Sequence, residues 1–112
     1  MLKVSENKLK ELIEKGKCID GKPILTFAHT DWCSECRMIK PIIESIEAEY
    51  ASKLLVVDID ADTVSDDYIR DYGVDELPTI NVIDAGRIFD PCTDKHSIAG
   101  ISNYIEECLK DD

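Results

Sequence analysis

Cys33 and Cys36 stand two residues apart directly behind Trp32, within the stretch TFAHTDWCSECRMIKP that ends at Pro41. A strand-length apolar run, PILTFAH, precedes them, and a helical pattern begins at them. The pair therefore sits where a strand hands over to a helix. Backbone N–H groups at a helix N-terminus lack intrahelical partners and carry partial positive charge, which stabilises a thiolate placed there. The thiolate is the form that attacks a disulfide. Three positions on, the second sulfur comes round beside the first and can attack a mixed disulfide formed at Cys33. The spacing thus supplies a nucleophile and a resolving thiol.

CxxC is also half of a zinc site. No second CxxC or closely spaced His pair supplies the remaining ligands. His29 with distant Cys92 or His96 would complete a set of four only by an accident of folding, so no metal is expected.

The elements that position the pair follow from periodicity. Residues 5–15 carry Leu9, Leu12 and Ile13 at helical spacing, with Ser5 as N-cap and Gly16 as stop. A strand is predicted over 23–29, then a helix over 34–50 with Met38, Ile39, Ile42, Ile43 and Ile46 as its apolar stripe and Pro41 kinking it. KLLVVDI, residues 53–59, is apolar enough for a strand buried on both faces. A short helix over 62–72 closes at Gly73. A strand over 78–84 follows, and DAGR turns it into RIFD as a hairpin. A helix over 97–110 ends the chain, with Ile98, Ile101, Tyr104, Ile105 and Leu109 inward, and Leu2–Val4 supplies a further short strand. The order predicts an α/β sandwich: one domain over 1–112, built on a mixed sheet of four to five strands with helices on both faces.

Composition excludes several functions. The 112 residues are 44% apolar and 33% charged, as expected of a folded domain rather than a disordered chain. Thirteen Lys and Arg against 24 Asp and Glu give a formal charge of −11, the wrong sign for a nucleic-acid binder or a membrane-surface helix. No apolar run approaches the roughly 20 residues needed to span a bilayer. The start, MLKVSENKLKELIEK, has no apolar core of a secretory signal, so a cytoplasmic location is expected. An odd count of five cysteines fits no secreted disulfide framework, which favours catalytic or packing thiols.

WCSECR followed by Pro41 resembles the WCxxC-(R/K)-x-x-x-P centre of the thioredoxin family. YGVDELPT, residues 72–79, resembles that family's segment ending in a cis-proline, and DAGR resembles its late hairpin turn. These pieces occur in family order across nearly the whole chain. The resemblance implies the thioredoxin fold and a thiol–disulfide oxidoreductase that reduces protein or small disulfides. It makes Cys33 the exposed nucleophile, Cys36 the partly buried resolving thiol and Trp32 the flanking aromatic. Pro78 becomes the cis-proline against the disulfide, and the backbones of Leu77 and Thr79 offer hydrogen bonds to an extended substrate. It further implies no cofactor, disulfide-containing proteins as substrates, a thioredoxin-reductase-type electron donor, and action as a monomer.

The chain departs from the family in four places. Ser34 and Glu35 replace the usual Gly-Pro between the cysteines, and Glu35 sets a negative charge beside two thiols. The family's buried Asp falls at Phe27, leaving Asp58 or Glu35 as candidate substitutes. The glycine lining the family's substrate groove falls at Asp94, making the groove narrower and more acidic. Cys92 near the same ridge is first a packing residue and second a regulatory third thiol. Cys18 and Cys108 are assigned to packing, and His29 first to structure or surface and second to assisting proton transfer to the thiols. The alternatives to a reductase are a non-catalytic binding module of the same fold and a metal or iron–sulfur site. A glutaredoxin fits less well, because only Gly86 stands where a Gly-Gly pair is expected.

Overall fold

The computed structural model describes residues 1–14 and 21–110. Its strands are β1 (Leu2–Lys3), β2 (Ile24–His29), β3 (Leu55–Asp60), β4 (Thr79–Asp84) and β5 (Arg87–Ile88), and its helices α1 (Glu6–Glu14), α2 (Ser34–Glu49), α3 (Asp66–Tyr72) and α4 (Ile98–Cys108). The strands form one mixed sheet in the order β1-β3-β2-β4-β5. β1 and β2 run parallel to β3, whereas β4 runs antiparallel to β2 and β5 to β4. This is the sandwich read from the sequence, with all five strands present.

Alternation along the strands divides the core in two. Leu25, Phe27, Val56, Ile80 and Val82 face Ile39, Ile43 and Ile46 of α2 and Ile101 and Ile105 of α4. Ile24, Ala28, Val57, Ile59 and Ile83 face Leu9 of α1 and Tyr68 and Tyr72 of α3. Because β2 and β3 are covered on both faces, they read as near-continuous apolar runs, interrupted by Thr26 and Asp58. Each fully buried isoleucine contributes about 2 kcal/mol by leaving water.

Three local details differ from expectation. The stripe of α2 is narrower: Cys36, Ile39, Ile43 and Ile46 are buried, while Met38 is 74% exposed. Ile98, in the first turn of α4, also points outward. The helix expected over 62–72 splits into a 3₁₀ turn, Ala61–Thr63, and α3. Two caps cause the split. The Asp60 side chain accepts from Asp62 N at 2.9 Å, and Ser65 Oγ from Tyr68 N at 3.2 Å, with Val64 extended between them. At α1, Ser5 Oγ caps Lys8 N at 3.1 Å; Gly16, the expected stop, and Cys18 lie outside the described residues.

The register positions the site. Phe27 pairs with Ile80 and Ala28 with Thr79, so the start of β4 lies against the end of β2. The residues preceding β4 and those following β2 therefore meet at one edge. Gly73 closes α3 with φ of 65°, and a Cβ there would approach Pro91 at 3.1 Å. Asn81 Nδ2 donates to the carbonyls of Tyr72 and Phe89, both at 3.0 Å, and Tyr104 Oη donates to the Asp90 carbonyl at 2.7 Å. These bonds hold the two loops, 73–78 and 89–94, side by side.

Candidate active site

Cys33 is the N-cap of α2. Its backbone is extended, with φ −87° and ψ 111°, and its Sγ accepts the Cys36 N–H at 3.2 Å. A four-residue turn, Thr30–Cys33, joins β2 to the helix, and the Thr30 carbonyl accepts the Cys33 N–H at 3.4 Å. The Cys33 thiol also points at the Leu77 carbonyl, 3.9 Å away, from a half-buried position. Cys36, one turn in, is 1% exposed. Burial pushes its thiol up to about 12, the hydrogen bond to Cys33 acts in the same direction, and the Glu35 charge adds to it; the Thr30 backbone offsets part of the rise. The two sulfurs thus sit in different surroundings.

Trp32 lies over the outer face, 68% exposed, with Nε1 donating to both oxygens of Asp62 at 3.2 and 3.0 Å. Asp62 belongs to the 3₁₀ turn after β3, a tether that sequence reading did not single out. Across from Cys33, Leu77–Pro78 is a cis peptide, and Thr79 Oγ1 donates to the Glu76 carbonyl at 2.6 Å, closing the turn before β4. Ser34 and Glu35 are exposed in the first turn of α2. The structure therefore gathers Trp32, Cys33, Ser34, Glu35, Cys36, Leu77, Pro78 and Thr79 at one edge.

Asp58 has a different partner. It is 5% exposed, pairs in register with Phe27, and accepts or shares a hydrogen bond with His29 Nε2 at 2.7 Å. Among the described residues no hydrogen bond joins Asp58 to Cys33 or Cys36. Phe27 itself is fully buried and stacks on the His29 ring at 4.6 Å.

Beside the cysteines a groove of about 860 Å³ runs between α2 and the two loops. Met38 and Ile39 line one side, Glu76 and Leu77 another, and Cys92 and Asp94 a third. Cys92 is 7% exposed, and burial pushes its thiol up to about 11. Cys108 is half-buried on α4 against the same core. Among the described residues, no three His, Cys, Asp or Glu side chains gather as metal ligands, and no helix is long and apolar enough to cross a membrane.

The thioredoxin family model matches residues 1–107. The chain belongs to the thioredoxin family. Among related proteins, the thioredoxin of Pyropia yezoensis is 34% identical over 68 residues, 61% of this chain and 63% of that one. A bifunctional thioredoxin reductase/thioredoxin of Mycobacterium leprae is 32% identical over 67 residues, 60% of this chain and 14% of its own length. The chain thus spans less than two thirds of the relatives it matches. The crystal structure of Deadhead, a germline-specific thioredoxin protein of Drosophila melanogaster, superposes with a TM-score of 0.73 over 97% of this chain and all of that one. At 24% identity this likeness concerns the thioredoxin fold alone. Within the family, then, this chain places an aromatic core residue, Phe27, where a buried carboxylate is expected, and sets a His29–Asp58 pair beside it.

Proposed function

We propose that the chain is a thiol–disulfide oxidoreductase that reduces protein disulfides with Cys33 and Cys36. The observation that carries this reading is the pairing of a half-buried sulfur at the N-cap of α2, receiving an N–H at 3.2 Å, with a second, buried thiol three residues on. The Cys33 thiolate attacks one sulfur of a substrate disulfide. That S–S bond breaks, a Cys33–substrate disulfide forms, and the leaving sulfur takes a proton. Cys36, losing its proton, then attacks Cys33 Sγ. A Cys33–Cys36 disulfide forms and the second substrate sulfur leaves as a thiol. Two electrons have passed to the substrate.

The rise of the Cys36 thiol to about 12 keeps it protonated until the mixed disulfide forms, which holds the two steps in order. Trp32 and the Leu77–Thr79 backbone flank the sulfur that is attacked and offer an extended substrate its contacts. Glu35 tunes the pair by disfavouring the second thiolate. Asp58 acts through His29 rather than on sulfur. Re-reduction falls to a thioredoxin-reductase-type dithiol donor, a reading supported by the relative in which reductase and thioredoxin are named together. The unit works as one domain, as a monomer, in a reducing compartment such as the cytoplasm.

Insulin reduction in the presence of dithiothreitol tests the proposal. Wild type should accelerate precipitation, Cys33→Ser should abolish the effect, and Cys36→Ser should accumulate a mixed disulfide visible by intact mass. Wild type without activity would instead favour a binding module that has kept the fold.

A further inference from the structure

The groove beside Cys33 is lined by both apolar and acidic side chains. Met38, 74% exposed, Ile39, Leu77 and Pro91 supply the apolar surface. Glu35, Asp75, Glu76 and Asp94 supply four carboxylates, and among the described residues that line the groove there is no Lys or Arg, His96 being the one basic side chain. None of the four carboxylates takes part in an ion pair among the described residues. Asp94 accepts one hydrogen bond from Asn103 Nδ2 at 3.3 Å, which leaves its charge in place. Lys95 and Arg37 lie outside the lining, and the Arg37 guanidinium is turned to the Asp31 carbonyl at 2.9 Å.

Burial is the main cause of the raised Cys36 and Cys92 thiols; the Glu35 charge adds a small part at Cys36, and at Cys92 the Asp94 backbone offsets the rise to which the Asp94 charge adds. The groove has the volume of a ligand site, about 860 Å³, and opens beside the reactive Cys33. Low-dielectric walls lined by one sign of charge concentrate field lines and draw in ligands of the opposite sign.

We infer that this groove selects disulfides flanked by a cationic, partly apolar polypeptide segment, whose Lys or Arg side chains meet Asp75, Glu76 and Asp94 while its apolar side chains cover Met38 and Leu77. The inference rests on the redox reading of Cys33 and Cys36 and adds the substrate class to it. A segment bound this way brings positive charge beside Glu35 as its disulfide reaches Cys33.

The test compares two synthetic peptides with the same disulfide, one flanked by three lysines and the other by three glutamates. Wild type should reduce the lysine peptide with a kcat/KM at least about tenfold higher at low salt, and the ratio should shrink at high ionic strength. In Asp75→Asn/Glu76→Gln/Asp94→Asn the ratio should fall toward one; because both peptides are read on the same protein, a loss of folded protein cancels. Equal rates for the two peptides in wild type, or a preference that survives the triple substitution, would overturn the inference. Reduction of the small neutral 2-hydroxyethyl disulfide serves as the reference. If wild type fails there, the redox reading falls and this inference with it; success there with equal peptide rates removes the groove selectivity alone.

Discussion

The Cys36 amide donates to the Cys33 sulfur across 3.2 Å, while the Cys36 sulfur itself is turned into the core and is 1% exposed. One residue therefore contributes its backbone to the first thiol and its side chain to the second step. The N-cap position makes this economical. A cap side chain accepts from the first turn of the helix in any case, and here the accepting atom is the sulfur that is proposed to react.

Alkylation should separate the two thiols. Burial pushes the Cys36 thiol well above its ordinary value, so it is almost wholly protonated at pH 8, and burial further limits access. Iodoacetamide at pH 8 should therefore modify Cys33 at least about tenfold faster than Cys36, read by peptide mapping. Equal rates would show that the second sulfur is not held in the core.

Alkaline pH should destabilise the fold. Burial first, and nearby charge with it, raises the Cys36 and Cys92 thiols from an ordinary value of 9.0 to about 12 and about 11. Above pH 9 the unfolded chain releases protons that the folded chain retains, so this contribution is intact below 9 and lost as pH climbs toward 11. Each thiol costs about 1.4 kcal/mol per pH unit within that window. Thermal unfolding at pH 8, 9 and 10 should show Tm falling with increasing slope, and Cys92→Ala should flatten it. Tyr68, Tyr72 and Tyr104, all pushed up by burial, steepen the fall above pH 10.

The His29–Asp58 pair should be worth more as a pair than as separate groups. Asp58 is 5% exposed and its hydrogen bond to His29 spans 2.7 Å. His29→Leu strands a buried carboxylate and should cost about 3–5 kcal/mol, whereas Asp58→Asn removes the charge and should cost less. The double variant should be more stable than the sum of the two losses implies, as urea unfolding would show. Additive losses would mean that the contact contributes nothing.

What the sequence revealed and what it hid divide along a physical line. Ile39, Ile43 and Ile46 announced α2 because burial on one helical face leaves a period that can be counted, whereas the CxxC alone fits a redox couple or half a metal site, and it was the surrounding WCSECR, Pro41 and YGVDELPT that pointed to the family. Met38 misled because it adjoins the stripe in sequence, yet its side chain falls on the groove side of the helix, a distinction set by where the 73–78 loop packs. The break between Thr63 and Asp66 was hidden for a related reason: Asp60 and Ser65 act as caps only once their own backbones are extended. Asp62, which tethers Trp32, belongs to a run of acidic residues with nothing local to single it out; only the fold brings it 3.0 Å from the indole. His29 meets Asp58 at 2.7 Å, a partner on a neighbouring strand that no local pattern connects to it.

Phe27→Asp is the substitution that decides whether the expected buried carboxylate has been lost or replaced. Position 27 faces α2, but its surroundings here are built for a ring: it is fully buried among Ile39, Ile43 and Ile80, and stacks on His29 at 4.6 Å. Its parallel neighbour in the sheet is Asp58, a carboxyl group that is already buried. An aspartate at 27 would lose the phenyl packing, leave a cavity, and place a second buried carboxyl group beside the first. Those effects together predict a loss of more than about 4 kcal/mol and a Tm lowered well beyond that of Phe27→Leu. They predict no gain in the rate at which Cys36 resolves a mixed disulfide, measured by stopped-flow after reaction at Cys33. A stable Phe27→Asp protein with faster resolution would show instead that the site still accommodates the missing proton acceptor, and that His29 and Asp58 had not taken over the space.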